Sequence, residues 1–443
     1  MSEQLVKTLS FGIQAKTLSG YRSRVNELVP LTEDKRKELL TLLRQESSNI
    51  GAIKNIAVAQ MYLSNVLDVP KEIADTLKPN YKPIMARIEK PMLLSSSIYD
   101  TSLQETRAQF SGQHKKDLLG RGSKQLASFR MDGTCPLPLR DGASNVVERE
   151  DGFWYVAALL SREYAKAHDL PTQLAFKIYI KPKDQSSGEE LRRMVDGTYD
   201  LRSSKLLRTS RGDWQIRLTF KFTPTPRVLD ESVFMGIDLG LNNPAAVAIC
   251  KDGKVAKWAQ LVGNAETLQK GREQFSGAIK RHRIELYRKD GCLGGEARSD
   301  AYKHLQRLRK QERNFVRTKS YEIAAKICDI ARRNKAKYWV LEDLDLLNMK
   351  SKEDNQGRKW FARNWAVGVV IQCIEWQAKK FGAEIIRVNP AYTSQTCSVC
   401  GQRGKREGDS FDCGFCGHHD HADKNAARNI AALGHQSTCS MTN

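Results

Sequence analysis

The order of apolar segments in the C-terminal half predicts an α/β fold. Three short apolar runs come first, Phe234–Leu241, Ala245–Cys250 and Val255–Leu261, with "KDG" at Lys251 to Gly253 turning the second into the third. A long basic helical stretch follows, from about Glu266 to Asn334, and then the strand "YWVLEDL", Tyr338–Leu344. A helix from about Trp365 to Phe381 places Val367, Val370, Ile371, Ile374, Ala378 and Phe381 on one stripe. "AEIIRVNP" gives a fifth strand closed by Pro390, a cysteine-rich insert follows, and "DKNAARNIAALG" is a final helix expected to stop at Gly434. Written out, the order is β-β-β-α-β-α-β-insert-α, which matches the RNase H-like folds at the level of topology alone.

The N-terminal half reads as a β-module with a helical insertion. "LVKTLSFGIQAK" opens it as a strand, and Leu39, Leu40 and Leu43 recur at helix spacing in a helical stretch from about Leu31 to Leu67. Prolines break that pattern in "LDVPKEIADTLKPNYKP", and helix resumes as far as about Leu126. "LAFKIYIKPK" and "WQIRLTFKFTP" then alternate. In the second, Trp214, Ile216, Leu218, Phe220 and Phe222 share one face and Gln215, Arg217, Thr219 and Lys221 the other, as in a half-buried antiparallel strand. "TPTPRVLDES" reads as a linker between the halves.

Charge narrows the function. The 443 residues carry 72 Lys+Arg against 51 Asp+Glu, a net charge of +21. Such an excess repels itself unless a polyanion neutralises it, and nucleic acid is the usual one. No apolar run approaches the roughly 20 residues of a membrane span, and "MSEQLVKTLSFG" has no signal-peptide pattern, so an intracellular protein is expected.

Three acids stand in unusual places. Asp238 lies within the hydrophobic "FMGIDLGLNN", Glu342 within "YWVLED", and Asp423 opens the last helix in "HADKNAARN". A buried, unpaired carboxylate costs several kcal/mol, so it shifts its pKa, finds a partner or binds a metal. If the first and fourth strands are neighbours, Asp238 and Glu342 stand side by side and the last helix supplies Asp423. Such a set suits phosphodiester hydrolysis, in which two Mg²⁺ ions roughly 4 Å apart activate water and stabilise the leaving oxygen. Singly, each has a plainer reading: Asp238 as a turn residue, Glu342 as a strand-end partner of a lysine, Asp423 as a helix N-cap.

The cysteines divide. Cys135, Cys250, Cys292, Cys328, Cys373 and Cys439 are scattered, several in apolar segments. Cys397-x2-Cys400 and Cys413-x2-Cys416, twelve residues apart and each ending in glycine, have the spacing of one tetrahedral Zn²⁺ with all four positions filled, hence a closed structural site. His418, His419 and His421 read as surface or nucleic-acid-contacting residues, not ligands.

Between Lys270 and Lys319 there are 15 Lys/Arg against 6 Asp/Glu. Lys280, Arg281, Arg283, Arg307, Arg309, Lys310, Arg313 and Arg317 are candidates to lie along a phosphate backbone. In "SKEDNQGRKWFARNW", Trp360 and Phe361 are candidates to stack on bases in a lid over the acids.

"GIDLG", "VLEDL", "YTSQTCSVCG", "FDCGFCG" and "ADKNAARNIA", in this order, resemble the RuvC-like nuclease domain of transposon-encoded TnpB proteins and of the type V CRISPR effectors derived from them. The resemblance covers about Val233 to Leu433, and the N-terminal plan is similar to the miniature V-F effectors. It implies an α/β RNase H-like (RuvC-like) nuclease domain at 230–443 with an inserted zinc ribbon at about 393–420. Before it would come a β-barrel wedge module at 1–25 and 126–229, interrupted by a helical recognition module at 26–125. It implies catalytic roles for Asp238, Glu342 and Asp423 with two Mg²⁺, a target-loading zinc ribbon on Cys397, Cys400, Cys413 and Cys416, a guide RNA, a target DNA, and two copies of the chain sharing one guide in a prokaryotic cytoplasm. The implied activity is RNA-guided DNA cleavage. A TnpB-type nuclease with another guide source, a non-cleaving guided repressor and a guide-free resolvase are its rivals.

Overall fold

The computed structural model describes residues 4–66, 72, 92–114, 128–182, 184–224, 227–240, 243–289, 295–343 and 367–441. They form two compact units, Met1–Thr223 and Pro224–Asn443. Among the described residues no helix is long and apolar enough to cross a membrane.

In the first unit the elements are β1 (Leu5–Arg22), β2 (Glu27–Val29), α1 (Glu33–Val66), α2 (Ser96–His114), β3 (Leu137–Leu139), β4 (Ser144–Arg149), β5 (Gly152–Ala158), α3 (Arg162–Ala167), β6 (Gln173–Tyr179), α4 (Gln185–Val195), β7 (Asp200–Arg208) and β8 (Trp214–Phe222). The strands form one antiparallel sheet in the order β3-β7-β8-β1-β6-β5-β4, with β2 beside β1. The sheet curls until β4 meets β7 through the Ser144 and Ser204 hydroxyls, 2.7 Å apart. The phenol of the wholly buried Tyr155 also reaches Ser204, and burial pushes its pKa up to about 12. The alternation in β8 holds, with Ile216, Leu218 and Phe220 fully buried. The sequence pattern does not reveal β5, because "GFWYVAA" is buried on both faces and so carries no two-residue period.

The second unit contains β9 (Asp230–Asp238), β10 (Ala245–Lys251), β11 (Lys254–Val262), α5 (Ala265–Lys289), α6 (Gly295–Asn334), β12 (Ala336–Glu342), α7 (Val367–Phe381), β13 (Glu384–Val388), β14 (Lys405–Glu407), β15 (Ser410–Asp412), β16 (His419–His421) and α8 (Ala422–Met441). The main sheet runs β11-β10-β9-β12-β13. β10 is antiparallel to both β9 and β11, whereas β12 is parallel to β9 and β13. α6 and α7 cover one face, packing Ile323, Ile327, Ile374 and Phe381 on Met235, Ile237 and Trp339. α8 covers the other, with Ile430 and Ala431 on Phe234, Val340 and Val388. β9 begins at Asp230, so the expected linker already contributes the first residues of that strand.

α8 does not stop at Gly434 but continues to Met441. The glycine is there for contact instead: a Cβ at Gly434 would lie 2.3 Å from Val340 Cγ2, and one at Gly236 would lie 2.2 Å from the Ala427 carbonyl oxygen. These two bare positions let α8 settle directly on β9 and β12. The basic stretch is an antiparallel helical hairpin of α5 and α6, in which the Phe275 and Phe315 rings meet at 5.7 Å and Arg272 pairs with Glu312 at 3.8 Å.

Candidate active site and metal centre

Asp238 ends β9 and Glu342 ends β12. These strands are parallel neighbours in a register that pairs Ile237 with Leu341, so the two acids leave the sheet side by side. Asp423 enters from the first turn of α8. Asp238 and Asp423 are almost wholly buried, at 8% and 3% exposure. Burial, and then repulsion by Glu342 and Asp423, hold the Asp238 carboxyl well above the usual carboxylate range, with Arg406 pulling the other way. Glu342 is also raised by burial, against a hydrogen bond from Thr393 and the charge of Arg406. Asp343 is exposed, and its N–H extends the ladder to the Val388 carbonyl.

Several residues of this site carry no signal in the sequence pattern. Arg406, on β14, donates from Nη2 to Asp423 Oδ1 at 2.9 Å. Asn243 donates from Nδ2 to Asp423 Oδ2 at 3.1 Å. A Cβ at Gly240 would sit 3.3 Å from that same oxygen, so the loop passes close beside the carboxylate. His421, expected at the surface, lies in the site: β16 runs straight into α8, and its Nδ1 accepts the Asp423 N–H at 3.2 Å. Asp409, His421 and Asp423 place one ligand atom each within 4.8 Å of one another. His419 is exposed and pairs with Asp412, and His418 lies 4.0 Å from Asp420.

The four cysteine sulfurs of Cys397, Cys400, Cys413 and Cys416 also lie within 4.8 Å of one another. Cys397 and Cys416 approach to 3.7 Å, and Cys400 and Cys413 to 3.5 Å. A tetrahedron of Zn–S bonds of ~2.3 Å needs sulfurs about 3.8 Å apart, so the donor set fits that ion. Backbone N–H groups of Cys416 and Phe415 hold the Cys413 thiol down to about 6, while hydrogen bonding among the clustered sulfurs contributes to holding Cys400 and Cys416 up, so the four thiols compete for negative charge that a bound cation would relieve. The three carboxylates fit a different ion. They offer only oxygen ligands, and their mutual repulsion, which among the described residues Arg406 alone opposes, is what a hard divalent cation relieves.

α8 ties the two centres together. The fully buried Asn425 accepts from the Ser398 N–H at 2.9 Å and donates to the Thr396 carbonyl at 2.7 Å. One turn later Asn429 donates to the Thr393 and Thr396 carbonyls. The N-x3-N spacing in "KNAARN" is the sequence trace of this clasp.

Lys280, Arg281, Arg283, Arg307, Arg309, Lys310, Arg313 and Arg317 all lie exposed on α5 and α6. The Arg317 guanidinium lies 5.6 Å from the Tyr321 ring. Trp360 and Phe361 fall outside the described residues.

A family model described as Cas12f1-like, TNB domain, matches residues 368–430. The chain is 28% identical over 352 residues to the CRISPR-associated endodeoxyribonuclease Cas12f1 of Sulfoacidibacillus thermotolerans, covering 77% of this chain and 78% of the relative. It is 36% identical over 80 residues, 18% of this chain and 35% of the relative, to the TnpB-like protein MJ0012 of Methanocaldococcus jannaschii. Its fold superposes on the solved Cas12f1–sgRNA–target DNA complex with a TM-score of 0.68 at 16% identity, over 97% of this chain and 99% of that one. The chain is thus similar to a Cas12f1 endodeoxyribonuclease over most of its length and to a TnpB-like protein over a shorter stretch, and it shares the fold of the solved Cas12f1 complex.

Proposed function

We propose that the chain is an RNA-guided DNA endonuclease. The observation that carries this reading is the convergence of Asp238, Glu342 and Asp423 at the ends of two parallel strands and a helix, two of the acids almost wholly buried. The sheet order, with three antiparallel strands followed by two parallel ones, supports a RuvC-like assignment for 230–443. The curled sheet with its helical insertion supports a wedge β-module at 1–25 and 126–229 around a recognition module at 26–125. Relatives named as endodeoxyribonucleases support the activity, and the neighbouring complex supports guide RNA and target DNA as partners.

In this reading the acids hold two Mg²⁺, which when bound supply water activation and stabilisation of the leaving oxygen. The chain's own residues fix the geometry. Thr393 orients Glu342, Asn243 and Arg406 each hold one oxygen of Asp423, and the His421 ring restrains its backbone. Cys397, Cys400, Cys413 and Cys416 hold a structural Zn²⁺ in a ribbon beside the acids. The exposed cations of α5 and α6 follow phosphates, while guide pairing reads sequence and the protein reads heteroduplex shape and a short flanking motif. Two copies share one guide RNA.

The test is to sequence RNA co-purified with the protein and then to assay cleavage of matching DNA. CRISPR-repeat RNA with Mg²⁺-dependent cutting supports this reading. RNA from a transposon end favours the TnpB-type alternative, which the MJ0012 match keeps open. Guided binding without cutting would identify a repressor.

A further inference from the structure

Tyr392 is an aromatic residue where an aromatic is hard to place. Its φ is +65°, in the left-handed region that side chains other than Gly, Asn and Asp rarely adopt. The turn that imposes this is well built: the N–H groups of Gln395 and Thr396 both donate to the Tyr392 carbonyl, at 3.0 and 2.9 Å. Glycine or asparagine would fill it without strain, and the tyrosine is not a core residue, since it is 52% exposed. Strain of this kind persists where the side chain serves a site.

What surrounds the ring gives the site its chemistry. The Arg403 guanidinium lies 3.9 Å from the ring centroid. Arg403 is itself placed by a bridge to Thr396 and by the Gly404 N–H donating to Gln395, so both partners belong to one small frame. The next residue, Thr393, donates its hydroxyl to Glu342. A cation-backed, half-exposed aromatic ring thus stands one residue from a side chain that touches the acids. Nucleobases stack on such platforms, and a guanidinium behind the ring adds favourable charge near the strand's phosphates.

We propose that Tyr392, backed by Arg403, is a stacking site for an unpaired base of a single-stranded nucleic acid beside the scissile phosphate. The occupant is a single strand because a base within a duplex keeps both faces covered by its neighbours. This rests on the reading of the acids as a nuclease centre, and it adds to that reading how the strand is held in register before cutting.

The test uses the full chain in divalent-free buffer and a short single-stranded DNA carrying 2-aminopurine, whose fluorescence is quenched on stacking. Wild type and Tyr392→Phe are expected to bind and quench. Tyr392→Leu is expected to lose the quench and bind roughly tenfold more weakly. Equal quenching by Tyr392→Leu, or none by wild type, overturns the proposal. Tyr392→Gly, which relaxes the backbone, is expected to melt no lower than wild type; a fall of several degrees would mark the tyrosine as a packing residue and overturn it too. Cleavage with Mg²⁺ is scored separately. A protein that stacks the base but never cuts keeps this site and loses the nuclease reading, whereas one that cuts without the quench does the reverse.

Discussion

Arg406 reaches from the hairpin beside the cysteine cluster to Asp423 on α8, Nη2 to Oδ1 at 2.9 Å, and opposes the charge that Asp238 and Glu342 share with it. Among the described residues, one cation against three carboxylates leaves the site short of positive charge. In metal-free protein, Arg406→Gln should therefore lower the melting temperature by a few degrees, since a hydrogen bond to a charged group contributes about 1.5–3 kcal/mol. Added Mg²⁺ should narrow that gap. Melting curves with and without Mg²⁺ check it, and a gap indifferent to Mg²⁺ would show that Arg406 does not share the acids' charge.

Asp238 is the acid most disfavoured by its surroundings. Asp238→Asn keeps its shape and removes one of the repelling charges, so the metal-free protein should melt higher than wild type while guided cleavage is abolished and guided DNA binding is retained. Parallel melting, cleavage and binding assays read all three. Loss of binding to the same degree as cleavage would contradict a role confined to the acid centre.

Cys413→Ser removes one of four sulfurs that lie within 4.8 Å of one another. The variant should lose its zinc, measured as metal per chain, and residues 393–421 should become sensitive to proteases, because only the three-residue ladders of β14, β15 and β16 and the clasp of Asn425 and Asn429 then hold the segment. Unchanged zinc content would remove the metal from the account of this hairpin.

The eight candidate cations from Lys280 to Arg317 on α5 and α6, all exposed, make a graded prediction. Each one that contacts phosphate contributes about 0.9 to the slope of log affinity against log salt. Arg307→Ala, Lys310→Ala and Arg313→Ala should weaken binding evenly across target sequences and flatten that slope stepwise. A variant that changes affinity for one sequence alone is reading bases instead.

These residues differ in how visible they are from the sequence. Asp238 and Glu342 are legible because each is an acid within an apolar run of the sequence, and the fold resolves the conflict by ending β9 and β12 at these residues. The paired cysteines are legible because thiolate geometry demands short, regular spacing. Arg406 in "GKREGD" looks like any other of the chain's 72 basic residues, and what distinguishes it is the hairpin register that sets it opposite the buried Phe411. Asn243 and His421 are hidden for the same reason: their partners lie 180 and 2 residues away, and neither separation is a pattern. β5 is hidden because burial on both faces erases alternation.

Gly434 serves helix–sheet contact and not helix termination. As a stop signal it would mark the end of α8, and replacing it with alanine would matter little. In the fold it lies inside the helix, with Val340 Cγ2 2.3 Å and Val340 Cγ1 2.8 Å from where a Cβ would be. Alanine is the better helix former by about 1 kcal/mol, yet overpacking costs about 1–3 kcal/mol or more where the neighbour cannot move. Val340 is fully buried in a central strand between β9 and β13, so it has little room to yield. Gly434→Ala should therefore destabilise, Val340→Ala alone should destabilise by leaving a void, and the double variant should be more stable than the sum of the two predicts. A coupling of about 1 kcal/mol or more in a double-mutant cycle of denaturant melts is the expected result. Strict additivity would mean that α8 does not rest on β12 at this point, and the placement of Asp423 at its head would need another support.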